Sequence, residues 1–303
     1  MNLNQTKDYM KQTSAFFPCQ KLFSSKGRKT VEDIFKTEGT AFWGSVISDI
    51  GCVRTTNEDN YALCKYMNTD SKERSGISVF LPTFGEWKFA GVFDGMGGGE
   101  RGELAAHNTA EIFLKTFCTI DKDMQKDDVD SVMRKAFLEA NNRIIDLQQK
   151  YRVFGTTGTV MGSNGLDFKI YHLGDSRAYL FRENDLFQLT RDQTLAQMKI
   201  DSGIYRRDDP AVDVDKHKLT EYIGRDWTQE NLRPIESQWV PIQPNDNILI
   251  CSDGLYNTCS DEEIAEILRR DTTIEDKCAI LINKAREHGG EDNITSMLIL
   301  FGG

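Results

Sequence analysis

Acidic residues recur at the edges of β-like runs. Asp94 ends the apolar run "WKFAGVF" and is followed by Gly95, and Asp253 ends "NILICS" and is followed by Gly254. Asp292, with Asn293 beside it, precedes the apolar run "ITSMLIL". Glu58 and Asp59 lie in "RTTNEDNYAL", beyond the turn after "VISDIG", and Asp175 lies in "YHLGDSRAYL". Singly, each is an ordinary feature, because Asp-Gly favours turns and an acid at a strand end is normally solvated. Their recurrence points to metal chemistry. The four histidines (His107, His172, His217, His288) have no metal-ligand spacing. An acid-rich, oxygen-only site suits Mg²⁺ or Mn²⁺ rather than Zn²⁺ or Cu²⁺. Gly95, with no side chain in the way, could add its carbonyl. Arg54, four residues before Glu58, carries the planar fork that matches two phosphate oxygens.

A competing reading comes from "VFDGMGGGERGELAAH", residues 92–107, where Gly97, Gly99 and Gly102 fit G-x-G-x-x-G. In a dinucleotide fold the first glycine follows the strand directly and the loop faces a pyrophosphate. Here Asp94 comes first and would repel that ligand. A lone G-x-G-x-x-G is a weak signal, so the dinucleotide reading is set aside.

Short β-like runs bounded by turn residues must position these acids: "FWGSVISDIG", "WKFAGVFDG", "GTTGTVMGSNG", "LDFKIYHLGDSRAYLFREN", "LFQLT", "NILICSDGL" and "NITSMLILF". Asn164-Gly165 between two runs predicts a hairpin with positive φ at both positions, and "FRENDLFQL" predicts another. Val129, Val132, Met133, Phe137, Ala140, Ile144 and Leu147 recur at helical spacing. "GELAAHNTAEIFLKTF" has a weaker stripe, Ser260 and Glu263 have capping-box spacing, and a last helix ends at Gly289. Hairpin-linked strands imply antiparallel sheets, and paired helices need sheet faces to cover, so the expected class is a layered α+β fold.

The 303 residues are 39% hydrophobic and 28% charged, a globular composition. A net charge of −10 disfavours nucleic acid as the main partner. No run is long enough to span a membrane and no signal peptide is visible, so a cytoplasmic location is expected. Seven scattered cysteines without C-x-x-C argue for reduced thiols. They also argue against a disulfide scaffold, a zinc site and a cysteine-nucleophile phosphatase. Residues 1–40, with seven Lys/Arg against four Asp/Glu, read as an extension or tether preceding a domain at 41–303.

The motifs "SDIGCVRTTNEDNYAL", "FAGVFDGMGGGERGELAA", "GTTGTVMG", "YHLGDSRAYLFREN", "LTRDQTLAQ", "LICSDGLYN" and "GGEDNITSMLIL" resemble, in order and spacing, those of the metal-dependent protein phosphatases (PPM, type 2C), especially the bacterial branch. The resemblance runs from about Trp43 to the C-terminus. It implies an α-β-β-α sandwich of two packed antiparallel sheets flanked by helices. It also implies a Ser/Thr protein phosphatase that hydrolyses phosphoserine and phosphothreonine by attack of a metal-bridging water, with two Mn²⁺ or Mg²⁺ ions. By the same resemblance Asp94 bridges the ions, with Asp253 and Asp292 at one and the Gly95 carbonyl at the other. Glu58 and Asp59 hold the second ion through its waters, Asp175 with Asp253 holds a third, weaker ion, Arg54 binds phosphate and Asn293 contacts metal-bound waters. The implied partner is a phosphoprotein, opposing a Ser/Thr kinase, and a monomer is expected. The rival within the fold is a catalytically weak regulatory member that binds phosphoproteins.

The chain departs from the pattern at Met96, where a proton-donating histidine is found in eukaryotic members; a metal-bound water would then protonate the leaving group. It departs again at Gly99, and at "RDQT" (191–194) where Asp-His-Ser is common. Residues 198–224 fall where the family has a flap and read as a charged loop beside the site. Residues 65–88 read as a second insertion.

Overall fold

Alternation of side chains along each strand turns the apolar runs into two-faced layers. A computed structural model describes residues 41–69, 74–82, 86–97, 100–149, 153–226, 232 and 234–302. One six-stranded antiparallel sheet runs in the order β10 (Asp185–Gln188), β9 (Arg177–Arg182), β13 (Asn247–Cys251), β14 (Ile294–Gly302), β1 (Ala41–Asp49) and β4 (Arg74–Pro82). The second sheet has the order β11 (Ile235–Glu236), β8 (Asp167–Leu173), β7 (Gly158–Ser163), β5 (Lys88–Met96), β2 (Asp59–Leu63) and β3 (Tyr66–Met67). Two short strands join it, β12 (Val240–Pro241) on β8 and β6 (Gly155–Thr156) on β5.

In β13, Ile248 and Ile250 face the layer shared by the sheets, with Ala90 and Val92 of β5 in the same core. The intervening Leu249 and Cys251 join a second core with Ile264 and Leu281 of the helices α6 (Asp261–Arg269) and α7 (Ile274–Glu287). On the other side Phe89 and Phe93 of β5 pack with Phe113 and Phe137 of α1 (Glu100–Thr119) and α2 (Lys126–Gln148). Both faces of the central strands are therefore covered, which is why they read as continuous apolar runs. Each large side chain buried this way contributes roughly 1.5–3 kcal/mol. The result is the expected helix–sheet–sheet–helix sandwich. Among the described residues no helix is long and apolar enough to cross a membrane.

Local signals were realised with three corrections. The Ser260–Glu263 capping box forms at the start of α6 in both directions. The Glu183–Asn184 turn adopts left-handed φ of 54° and 69° between β9 and β10. At the other hairpin only Gly165 is left-handed, at 85°. Asn164 instead accepts from the Leu166 and Asp167 N–H groups through Oδ1, closing the turn with its side chain. The segment read as an insertion supplies β4, which pairs with β1 from Ala41↔Pro82 to Asp49↔Arg74. The flap segment is folded rather than looped, with α3 (Leu195–Asp201) and α4 (Ala211–Asp215) joined by Lys199 on Asp215 at 2.6 Å, and Lys218 just beyond α4 on the same carboxylate at 2.8 Å. The extension at 1–40 and Gly99 lie outside the described residues.

Candidate metal-dependent active site

Strand register gathers the acids at one end of the sandwich. Asp59, the first residue of β2, pairs directly with Asp94 near the end of β5. Asp253 opens the short helix α5 (Asp253–Tyr256) two residues beyond β13, and Asp292 lies two residues before β14; those two strands are neighbours. Asp175 follows β8. Arg54, Glu58, Asp94, Gly95, Asp175, Asp253 and Asp292 thus line one pocket of about 420 Å³.

Close approach explains the glycines. A Cβ on Gly95 would lie 2.2 Å from the Gly102 carbonyl oxygen and 2.5 Å from that of Glu58. One on Gly102 would lie 2.1 Å from Glu58 Oε2. The glycine-rich stretch therefore lets α1 and the Glu58 carboxylate close around the end of β5, as the acid-serving reading expects. Asp94 itself is fixed through its backbone: its N–H donates to Thr157 Oγ1 at 2.9 Å, and its carbonyl accepts from Thr157 N at 2.8 Å.

Electrostatics in the pocket are frustrated. Burial, then Asp59, Asp253 and Asp175, push the Asp94 carboxyl well above the usual carboxylate range. Burial and Asp253 do the same to Asp175, and burial and Asp253 raise Asp292. Asp59 is pushed up to about 7, chiefly by burial, although Thr295 and Ser252 hydroxyls donate to its Oδ2 at 2.7 Å each. Its Oδ1 is buried without a hydrogen-bond partner. Arg54 loses solvation, but Asp292, Glu58 and Asp94 outweigh that loss and raise its affinity for a proton. Its Nη2 lies 2.7 Å from Asp292 Oδ2 across 238 positions of sequence.

This donor set suits a hard cation: it is made of carboxylate oxygens whose mutual repulsion positive charge would relieve, and one buried oxygen lacks a donor. Among the described residues no three His, Cys, Asp or Glu side chains form a closed cage. The carboxylates are spread over one pocket wall, an arrangement suited to a cation that keeps several of its waters.

Two expected site residues lie outside the pocket lining. Asn293 does not line the pocket. Its Nδ2 donates to the Ile50 and Thr56 carbonyls at 3.0 and 2.9 Å, and its Oδ1 accepts from Glu58 N at 2.8 Å. These bonds hold the loop that carries Arg54 and Glu58. Asp59 stands behind the pocket wall at 3% exposure.

Sequence reasoning missed His217, Leu219, Thr157 and Glu291 in the lining. His217 Nδ1 lies 3.7 Å from Asp253 Oδ2, and its pKa is raised, first by that contact. It arrives from the flap by tertiary folding, and no local spacing announces it. Thr157 lies in "GTTGTV", a stretch that reads as a strand and as a family motif but singles out no site residue.

The sequence model of the Protein phosphatase 2C family matches residues 48–199. The serine/threonine phosphatase stp of Listeria monocytogenes is 28% identical over 255 residues, covering 83% of this chain and 93% of the relative. The solved S. agalactiae serine/threonine phosphatase superposes with a TM-score of 0.73 at 25% identity, covering 85% of this chain and 98% of that one. A structure of the catalytic domain of the phosphatase PstP in complex with 2 manganese ions superposes with a TM-score of 0.67 at 25% identity, covering 87% and 100%. With the matched residues amounting to half its length and the same fold around its acids, this chain belongs to the protein phosphatase 2C family.

Proposed function

We propose that this chain is a Ser/Thr protein phosphatase that depends on Mn²⁺ or Mg²⁺ and hydrolyses phosphoserine and phosphothreonine esters of proteins. One observation carries the reading: Glu58, Asp94, Asp175, Asp253 and Asp292 share a pocket with Arg54. Carboxylates and a guanidinium in one cleft suit a phosphate dianion only if cations offset the acids. The names of the relatives, serine/threonine phosphatase stp and protein phosphatase PhpP, support the same reaction.

Asp94, Asp253 and Asp292 would hold one ion. Asp94 and the Gly95 carbonyl would hold a second, with Glu58 in the pocket and Asp59 buried behind its wall acting largely through that ion's waters, and Asp175 with Asp253 would hold a third. Such cations, when bound, neutralise the phosphate and acidify the attacking water. The chain's own residues do the rest. Arg54 turns from Asp292 to the phosphoryl oxygens and orients them through its two-pronged donor face. The Thr157 hydroxyl is already engaged by Asp94 N–H and by Ser176 Oγ at 2.7 Å. It is a support for Asp94. Met96 lines the pocket but has no proton to donate to the leaving oxygen.

The catalytic unit is taken as residues 41–303, with 1–40 an extension. We place the protein opposite a Ser/Thr kinase, acting as a monomer in the cytoplasm. Its described cysteines, all unpaired, suit a reducing compartment. The deciding experiment is phosphate release from a phosphothreonine peptide with Mn²⁺, then with excess chelator. Release that stops on chelation is expected. No release from folded, Mn²⁺-supplied protein would overturn the reading and favour a phosphoprotein-binding role.

A further inference from the structure

The flap segment meets the rest of the protein at a hydrogen-bonded clasp centred on Gln193. Gln193 Oε1 accepts from Gly174 N–H at 2.6 Å, and Gln193 N–H donates back to the Gly174 carbonyl at 2.8 Å. The Gln193 carbonyl also accepts from both Thr220 N–H and Thr220 Oγ1, at 2.8 and 2.9 Å. One residue therefore ties the start of the segment, its return and the turn just before Asp175. The next rung, Leu195 N–H to the Lys218 carbonyl at 2.8 Å, closes the segment that carries His217 and Leu219 onto the pocket wall.

Gly174 is gripped on its other side as well. Its φ is +109°, and a Cβ there would lie 2.6 Å from Thr157 Cγ2. Thr157 is the residue that accepts the Asp94 N–H. Adjacent contacts follow the same line: His172 Nε2 meets the Arg191 carbonyl at 3.2 Å, and Arg177 holds Asp192 through two bonds of 2.9 and 2.6 Å. Those two reach only the near end of the flap segment. Gln193 alone among these three reaches Gly174 and the returning Thr220 together.

We propose that Gln193 is a positioning residue of the reaction: by clasping both ends of the flap segment to the Gly174–Asp175 turn, it sets the place of Asp175 and of His217 and Leu219 in one geometry. The proposal rests on the phosphatase reading for its consequence in turnover, whereas the clasp is a property of the fold and is tested separately. The clasp has two branches: the Gln193 side chain holds the Gly174–Asp175 turn, and its backbone carbonyl holds the returning Thr220. A displaced Asp175 lowers kcat for any phosphate ester, while a loosened flap raises KM only for a substrate large enough to touch it.

The experiment compares Gln193→Met, which keeps the length of the side chain and removes only the Oε1 acceptor of the Gly174 N–H, with Gln193→Glu, which keeps an acceptor oxygen on the same stem. Amide exchange is followed at 173–176 and at 194–219, and kinetics are measured on a phosphothreonine peptide and on a small aryl phosphate. In Gln193→Met, which leaves the backbone bonds to Thr220 and between Leu195 and Lys218 in place, exchange accelerates at 173–176 and not in β14. Loss of that one hydrogen bond should lower kcat for both substrates by roughly three- to tenfold. Gln193→Glu restores protection at 173–176 and most of kcat. Equal behaviour of the Met and Glu variants, or unchanged exchange at 173–176, overturns the proposal. Thr220→Val removes only the hydroxyl branch and covers the case in which Gln193→Met does not fold: it raises the peptide KM alone, and an unchanged KM there also overturns the clasp. A wild-type chain that releases no phosphate would sink the phosphatase reading, and the exchange data would then judge the clasp without kinetics.

Discussion

Replacement of Arg54 by alanine tests the phosphate-binding role most directly, because its cost follows from contacts already described. In the free protein Arg54 is ion-paired to Asp292, with side chains 46% and 39% exposed. An exposed pair of this kind is worth about 0–1 kcal/mol, so releasing it to meet a phosphate costs little. Against that stand two charge-assisted hydrogen bonds to phosphoryl oxygens, each worth roughly 1.5–3 kcal/mol. After the pair with Asp292 is subtracted, and with part of the loss recovered by water, the net cost is about 2–4 kcal/mol. That corresponds to a fall in kcat/KM of roughly 30- to 1000-fold. The assay is kcat/KM on a phosphothreonine peptide at saturating Mn²⁺, with the melting temperature as a check that an exposed side chain was removed without damage. Arg54→Lys keeps the charge and loses the fork, so it should fall between the two. A kcat/KM for Arg54→Ala within about threefold of wild type, in a protein that melts normally, would refute the assignment of this arginine to the phosphoryl group.

Two further outcomes follow from packing and burial. Gly102→Ala places a methyl group against the Glu58 carboxylate, and overpacking of this kind costs about 1–3 kcal/mol. Its melting temperature should fall by several degrees, and an unchanged value would mean that α1 and Glu58 can separate freely. His172 is fully buried, with Nδ1 at 2.9 Å from Thr159 Oγ1, and burial pushes its pKa down to about 4. The unfolded chain then binds more protons than the folded one between the ordinary histidine pKa and about 4. Stability should therefore be full above the ordinary pKa and decline as pH falls through that window, by about 3 kcal/mol at most. Denaturant unfolding of wild type and His172→Gln across that window should show the smaller pH slope in the variant. Equal slopes would remove His172 as the source.

Legibility in the sequence followed the range of the interaction. The Ser260 cap and the Glu183–Asn184 turn were readable because their hydrogen bonds close within a few residues. The core strands were readable because two covered faces leave no polar alternation, and the acids stood out at the ends of those runs. Arg54 was readable from its nearness to Glu58, although its observed partner is Asp292, far away in the chain. β4 was not legible as a strand within 65–88, since an edge strand needs only one partner and its pattern is weak.

The sequence by itself determined which residues could do the chemistry: oxygen donors, one guanidinium and glycines small enough to let them meet. Tertiary structure alone decided how those residues divide the work. Asn293 was placed outside the pocket lining, where its amide bonds three backbone groups between Ile50 and Glu58. Asp59 was withdrawn behind the wall by two hydroxyls that donate to a single oxygen. His217 was brought beside Asp253 through a segment whose two ends meet at Gln193. Each of these depends on which atoms reach a hydrogen bond first once distant strands are in register, and strand register is a property of the folded sheets rather than of any local run of residues.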